Sequence, residues 1–161
     1  MGERNTGVPE IIIDHFGLEQ QASTPEAMAK LAGSTFALSE RVDDAAGEAF
    51  DFAAWYAAWR LEQGIGADQP HPTHLKVEAV DSFEAVIPWK QLESAAFLFR
   101  VDGAPLAKGG PLRLFTPNGS SECLNVKSVV VCRFIQDETL GDESVYGFKS
   151  TFSPQELFMK R

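Results

Sequence analysis

Alternating apolar and polar positions make the second half of the chain rich in predicted strands. Residues 75–79 and 83–87 both alternate, and Asp81-Ser82 between them favours a turn, so this region predicts a β-hairpin. The run 126–135 is apolar on both faces at its centre, which predicts a strand in the middle of a sheet. Shorter strands are predicted at residues 10–13, 34–38, 97–101 and 112–115.

Helical spacing occurs mainly in the first half. Thr24 is a suitable N-cap, Pro25 fits the first helical position and Gly33 provides a stop, so a helix is predicted between them. A second helix is predicted over residues 52–61, with Asp51 as its N-cap. One face of this helix is aromatic, which is typical of core packing rather than of cofactor stacking; its residues are Phe52, Trp55, Tyr56 and Trp59. Short helices are also predicted at residues 88–93 and 151–157.

Length and the mixture of elements indicate one α+β domain over residues 1–161. A chain of 161 residues with 44% hydrophobic residues buries a sufficient core without disulfides or a structural metal. The segment 64–72 is rich in glycine and proline, and we interpret it as a connector between helix and strands rather than as a domain boundary.

Charge and hydropathy narrow the range of partners. The formal net charge of -9 would repel a phosphate backbone, so nucleic acid is not expected as a partner. The longest apolar runs are far shorter than the roughly 20 residues that a membrane-spanning helix needs, so no membrane association is expected. The first residues lack the pattern of a secretory signal, and we therefore expect a cytoplasmic location.

The sequence contains none of the common catalytic or metal-binding motifs, such as HExxH, a Walker loop or GxGxxG. Cys123 and Cys132 lack CxxC spacing and nearby histidines, so we predict no metal site and interpret both as small core residues. Asp14 and His15 are neighbours on a predicted strand, where their side chains point apart, and we interpret the pair as incidental.

The candidate chemistry lies around a cationic strand. Gly109-Gly110-Pro111 permits a tight turn, and Arg113 then follows within an apolar strand. Such an arginine must reach a sheet edge or meet an anion, and its planar fork suits phosphate or carboxylate. Lys127 and Ser128 would add a charge and a hydroxyl group to the same site, although both cations could instead pair with the surplus acidic residues. His74 is either a ligand-facing donor or an ordinary histidine.

Four segments together resemble the molybdopterin-binding domain of the sulfite oxidase family. Their order, over about residues 73–135, is similar to that of the family's strand pair, hairpin, glycine-proline turn and basic strand. The segments are THLKVEAVDSF at 73–83, FLFRVDGAPL at 97–106, GGPLRLFTP at 109–117 and NVKSV at 125–129.

The resemblance implies a mixed β-sheet core, shaped as a sandwich or barrel, with a few short helices. It also implies a molybdopterin cofactor, with Arg113, Lys127, Ser128 and His74 as candidate binding residues. For Lys127, two registers that differ by two residues are open, and both keep the same face of the strand. The family holds molybdenum through a cysteine that precedes its THxxV-type segment, whereas residues 1–72 of this chain contain no cysteine.

Two functional hypotheses follow. The first is a divergent molybdopterin-binding, oxidoreductase-like domain that binds a pterin or another anion but lacks the thiolate ligand, so whether it is an enzyme is left open. The second is a noncatalytic binding or assembly domain that keeps the scaffold and binds a partner protein or a small anionic ligand.

Overall fold

A computed structural model describes residues 9–148, which contain two α-helices and eleven strands. The helices are α1 (Pro25–Ala32) and α2 (Phe52–Glu62). The strands are β1 (Ile11–His15), β2 (Gln21–Ser23), β3 (Thr35–Ala37), β4 (Glu48–Asp51), β5 (His74–Ala79), β6 (Phe83–Pro88), β7 (Ala96–Val101), β8 (Ala104–Pro105), β9 (Leu112–Phe115), β10 (Val126–Ile135) and β11 (Val145–Phe148). Short 3-10 turns span Leu38–Glu40, Trp89–Leu92, Glu122–Leu124 and Glu138–Leu140.

Both predicted α-helices are confirmed, together with their caps. The Thr24 hydroxyl accepts a hydrogen bond from the backbone N–H of Ala27 at 3.1 Å, and Gly33 ends α1 with a φ of 97°. Residues 88–93 form a 3-10 turn instead of an α-helix. The helix predicted at residues 151–157 lies outside the described residues.

The strands form one mixed but mostly antiparallel sheet, which confirms the α+β class. Its main path runs β11-β6-β5-β10-β9-β7-β4-β3, with β1, β2 and β8 attached at the side. The long strand β10 is central, as predicted. It pairs with β5 on one edge, while β9 pairs with its first part and β1 pairs in parallel with its second part on the other.

Burial of the aromatic face of α2 against β10 forms the main core. The ring of Phe134 on β10 lies 4.9 Å from that of Tyr56 and 5.9 Å from that of Trp55, measured between centroids. Phe52 and Trp59 are also almost fully buried, so the predicted core role of this aromatic face is confirmed. No helix within residues 9–148 has the length and apolar character needed to cross a membrane.

A second, smaller cluster lies on the opposite side of the strands β4, β7 and β9. Leu98 and Phe115 are buried there beneath the Leu38–Glu40 turn; the other buried members are Leu38, Ala49 and Ala96. Because side chains alternate along a strand, Leu112 and Leu114 of β9 lie in the main core, whereas Arg113 and Phe115 lie on this second face.

Asp51 caps the start of α2 and also pairs with Arg41, and its substitution tests how much these two contacts stabilise the fold. One carboxylate oxygen accepts from the backbone N–H of Ala54 at 2.8 Å, and the other lies 2.7 Å from the Arg41 guanidinium. We expect Asp51→Ala to lower the free energy of unfolding in urea by about 1–2 kcal/mol, because it removes both the N-cap and the ion pair. Asp51→Ser restores the cap alone and should recover more than half of that loss; equal losses in the two variants would contradict this assignment.

Candidate anion-binding site

Strand β9 directs Arg113 away from the main core. Its neighbours Leu112 and Leu114 are fully buried, whereas Arg113 is half-buried on the face that also carries Phe115. The carbon at the centre of its guanidinium lies 5.1 Å from the centroid of the Phe115 ring, within the range of a cation–π contact. The side chain is therefore held over an aromatic surface.

A bulge in β10 places Lys127 and Ser128 opposite Arg113. Val126 pairs with Leu114 and Val129 pairs with Leu112, so two residues of β10 lie opposite one residue of β9. Both valines face the main core, which leaves Lys127 and Ser128 on the outer face. Ser128 takes a left-handed conformation with a φ of 57°.

The glycine-proline turn, Gly109-Gly110-Pro111, contacts the same part of β10. The backbone N–H of Ser128 donates to the carbonyl of Gly109 at 2.8 Å, and the Gly110-Pro111 peptide bond is cis. The Cδ atom of Arg113 lies 2.9 Å from the position that a Cβ on Gly109 would occupy. Three of the four predicted site residues are thus assembled around this turn.

Arg113 differs from the other arginines of residues 9–148 in its bonding. The guanidinium groups of Arg41, Arg60, Arg100 and Arg133 all donate to carboxylates, carbonyls or a hydroxyl group. The Arg113 Nε atom is buried and has no hydrogen-bond partner. Within the same described range, neither Arg113 nor the exposed Lys127 forms an ion pair, so the predicted alternative of neutralisation by acidic residues is not observed there.

His74 lies far from the other three predicted site residues. It begins β5, opposite Ile135 at the far end of β10, which at about 3.3 Å per residue puts it roughly 25 Å from Lys127. Its ring is almost fully buried, and Nε2 donates to the carbonyl of Gly141 at 2.8 Å. Nδ1 lies 2.8 Å from the hydroxyl of Thr73. His74 therefore ties β5 to the loop after β10 and does not join the other three residues.

The cysteines do not supply a metal site among the described residues, where no group of three or more metal-binding side chains occurs. Cys132 faces the main core, and desolvation raises the pKa of its thiol to about 12. Cys123 is exposed on the Glu122–Leu124 turn, so its prediction as a core residue is wrong; the turn ends before β10 enters the sheet. Cys132 is therefore not placed to serve as a thiolate ligand, because it lies in the main core.

A buried polar chain around His15 was missed by the sequence analysis. Arg60 donates to the Tyr56 hydroxyl at 3.2 Å, and this hydroxyl lies 2.7 Å from Nε2 of His15. Nδ1 of His15 donates to the Phe16 carbonyl at 2.8 Å, so the chain fixes one neutral tautomer. The two terminal nitrogens of Arg60 also donate to the carbonyls of Gly66, Gln69 and Pro70.

The hydrogen bonds of this chain are made within the fold, which indicates a structural role. Burial of His15 lowers its pKa, and the nearby Arg60 charge lowers it further. Burial likewise raises the pKa of the Tyr56 hydroxyl. The sequence signal that could have found the contact is the position of His15 at the end of an apolar strand, but its partner Tyr56 is distant in sequence.

No family model matches the chain, and no curated protein matches it significantly. The likeness to the sulfite oxidase family therefore rests on the four sequence segments alone. Two of these segments, the glycine-proline turn and the NVKSV strand, meet in the structure through the hydrogen bond between Ser128 and Gly109.

The buried His15 predicts a loss of stability on acidification. In the unfolded chain its imidazole takes up a proton as the pH falls below the ordinary value of 6.5, whereas the folded protein resists protonation. The stabilisation is present above pH 6.5 and is lost as the pH falls toward and through the lowered folded-state pKa. His15→Phe should therefore reduce the slope of unfolding free energy against pH between about pH 7 and 5.

The matched control is His71→Gln, since His71 is exposed on the connector before β5. We expect this variant to keep the slope of the unmodified protein in urea titrations at a series of pH values. Parallel slopes for His15→Phe and the unmodified protein would show that His15 does not cause the acid sensitivity.

Proposed function

We propose that this domain binds a small oxyanionic ligand, such as the phosphate group of a pterin cofactor, through Arg113, Lys127 and Ser128. The observation that carries the proposal is the bonding of Arg113, which lacks a hydrogen-bond or ion-pair partner within residues 9–148 although its Nε is buried. Natural proteins satisfy nearly all buried donors, so the buried Nε of a cationic side chain calls for a partner from outside the described residues.

The energetics favour an anion as the missing partner. A buried donor without a partner costs about 1–3 kcal/mol, and a hydrogen bond to a charged group contributes about 1.5–3 kcal/mol. An oxyanion on the guanidinium would neutralise a cation that has no carboxylate partner within residues 9–148. Lys127 would add a second charge from the bulge, and the Ser128 hydroxyl a further donor.

A scaffold of the sulfite-oxidase type, with its sandwich or barrel-like core, is part of the proposal. The contact between Gly109 and Ser128 supports it, because two segments of the resemblance that lie apart in sequence meet around Arg113. The mostly antiparallel mixed sheet is also compatible with this architecture. Redox chemistry at molybdenum is not included, since residues 1–72 contain no cysteine at the position of the family's ligand and Cys132 faces the main core.

Titration with inorganic phosphate and pyrophosphate tests the proposed anion-binding site directly. We expect inorganic phosphate and pyrophosphate to bind in calorimetric titrations at low ionic strength. Arg113→Ala and Lys127→Ala should each weaken binding about tenfold, because each removes a charge-assisted contact. Sodium chloride at the same ionic strength is the control for screening.

Lys90→Ala is the matched control variant. Lys90 is an exposed lysine whose contact is with Asp142, on a different part of the surface. Its substitution should leave the phosphate affinity unchanged. An unmodified protein that binds neither phosphate nor pyrophosphate, or equal losses in all three variants, would refute the proposed site.

Purification from a molybdenum-replete host tests which ligand is bound. We expect pterin fluorescence after denaturation at near-stoichiometric amounts, with molybdenum well below that level, because the thiolate ligand is missing. Equimolar molybdenum and pterin would contradict the exclusion of the metal.

Absence of both pterin and phosphate binding would favour the alternative of a noncatalytic assembly domain. A specific observation supports this alternative: β11 ends the strand order of the sheet within residues 9–148, and its adjacent residues Val145 and Tyr146 are exposed. Edge strands of this kind are suitable for pairing with a partner protein.

A further inference from the structure

The stem of Arg113 lies directly on Gly109. A Cβ on Gly109 would be 2.9 Å from Cδ of Arg113 and 3.4 Å from its Nε. The contact also explains why Nε is buried while the residue as a whole is half-exposed. Gly109 has a φ of 72°, in the left-handed region that favours glycine.

A side chain at Gly109 would displace Arg113 rather than disrupt the fold. The atoms that it would meet all belong to the flexible side chain of Arg113 and not to backbone. Gly47 shows the opposite situation, since a Cβ there would meet the buried Leu98 and the backbone carbonyl of Arg100. The consequence at Gly109 is therefore a change in where the guanidinium lies.

We infer that Gly109 is a positioning residue for anion binding. Its bare Cα lets the Arg113 stem pass between the turn and the Phe115 ring, and this holds the guanidinium on the face that it shares with Lys127. The inference rests on the proposed anion-binding function. It assigns to the glycine-proline turn the task of fixing the direction of the cation, in addition to starting β9.

Gly109→Ala should weaken phosphate binding about tenfold, close to the effect of Arg113→Ala, because the guanidinium is displaced from its position over the Phe115 ring. The control is Gly103→Ala. Gly103 has a similar φ of 76°, but a Cβ there would meet no atom within 4 Å. Both variants carry the same kind of backbone strain, so their melting temperatures should fall by similar amounts while only Gly109→Ala loses affinity.

Hydrogen exchange at Arg113 gives a readout that needs no ligand. In the unmodified protein the Nε–H of Arg113 is buried, so its NMR signal should exchange slowly with water; Arg113→Lys identifies the signal by its loss. We expect faster exchange in Gly109→Ala and unchanged exchange in Gly103→Ala. A Gly109→Ala protein with slow exchange and the original phosphate affinity would overturn the positioning role.

The two proposals fail in different ways. Phosphate binding that is lost in Arg113→Ala but kept in Gly109→Ala would overturn the role of Gly109 and leave the proposed function standing. An unmodified protein that does not bind phosphate would overturn both, whatever the exchange rates are.

Discussion

The contact between the aromatic face of α2 and the ring of Phe134 determines where every other part of this fold can lie. Phe134 belongs to β10, the strand that pairs with β1, β5 and β9, so fixing its inward face fixes the inward face of the surrounding sheet. Because aromatic side chains bury large apolar areas, turning β10 over would expose most of the core. The residues of the sheet that do not point into this core then form its outer face.

The bulge in β10 is a consequence of this constraint. Val126 and Val129 both belong to the main core, although an odd separation in a regular strand would put them on opposite faces. One additional residue, with Ser128 in a left-handed conformation, restores the inward direction of Val129. The same local change puts Lys127 and Ser128 together on the outside, opposite Arg113, so core packing assembles the candidate site.

Features with a local cause could be predicted from the sequence, and those that depend on distant partners could not. The caps at Thr24 and Asp51 act within one helical turn, and the alternation of the β5–β6 hairpin is readable in a short window. The bulge in β10 depends on its pairing with β9 and on the main core, so a short window of sequence does not predict it. The position of His15 on an apolar strand is a local signal for burial, but its partner Tyr56 lies on α2 and could not be identified from a short window.

The hydrogen bonding around Arg60 differs from that around Arg113, and the difference shows why only Arg113 is a candidate binding residue. Arg60 is more deeply buried, yet its guanidinium is surrounded by three loop carbonyls and the Tyr56 hydroxyl, so its donors are used within the fold. Arg113 is more accessible, but its Nε is buried close to Gly109 and has no hydrogen-bond partner within residues 9–148. Burial alone therefore does not indicate binding. A cationic side chain indicates a binding site when the fold holds it in one orientation but leaves a buried donor without a partner. Within residues 9–148 the guanidinium of Arg113 meets that condition.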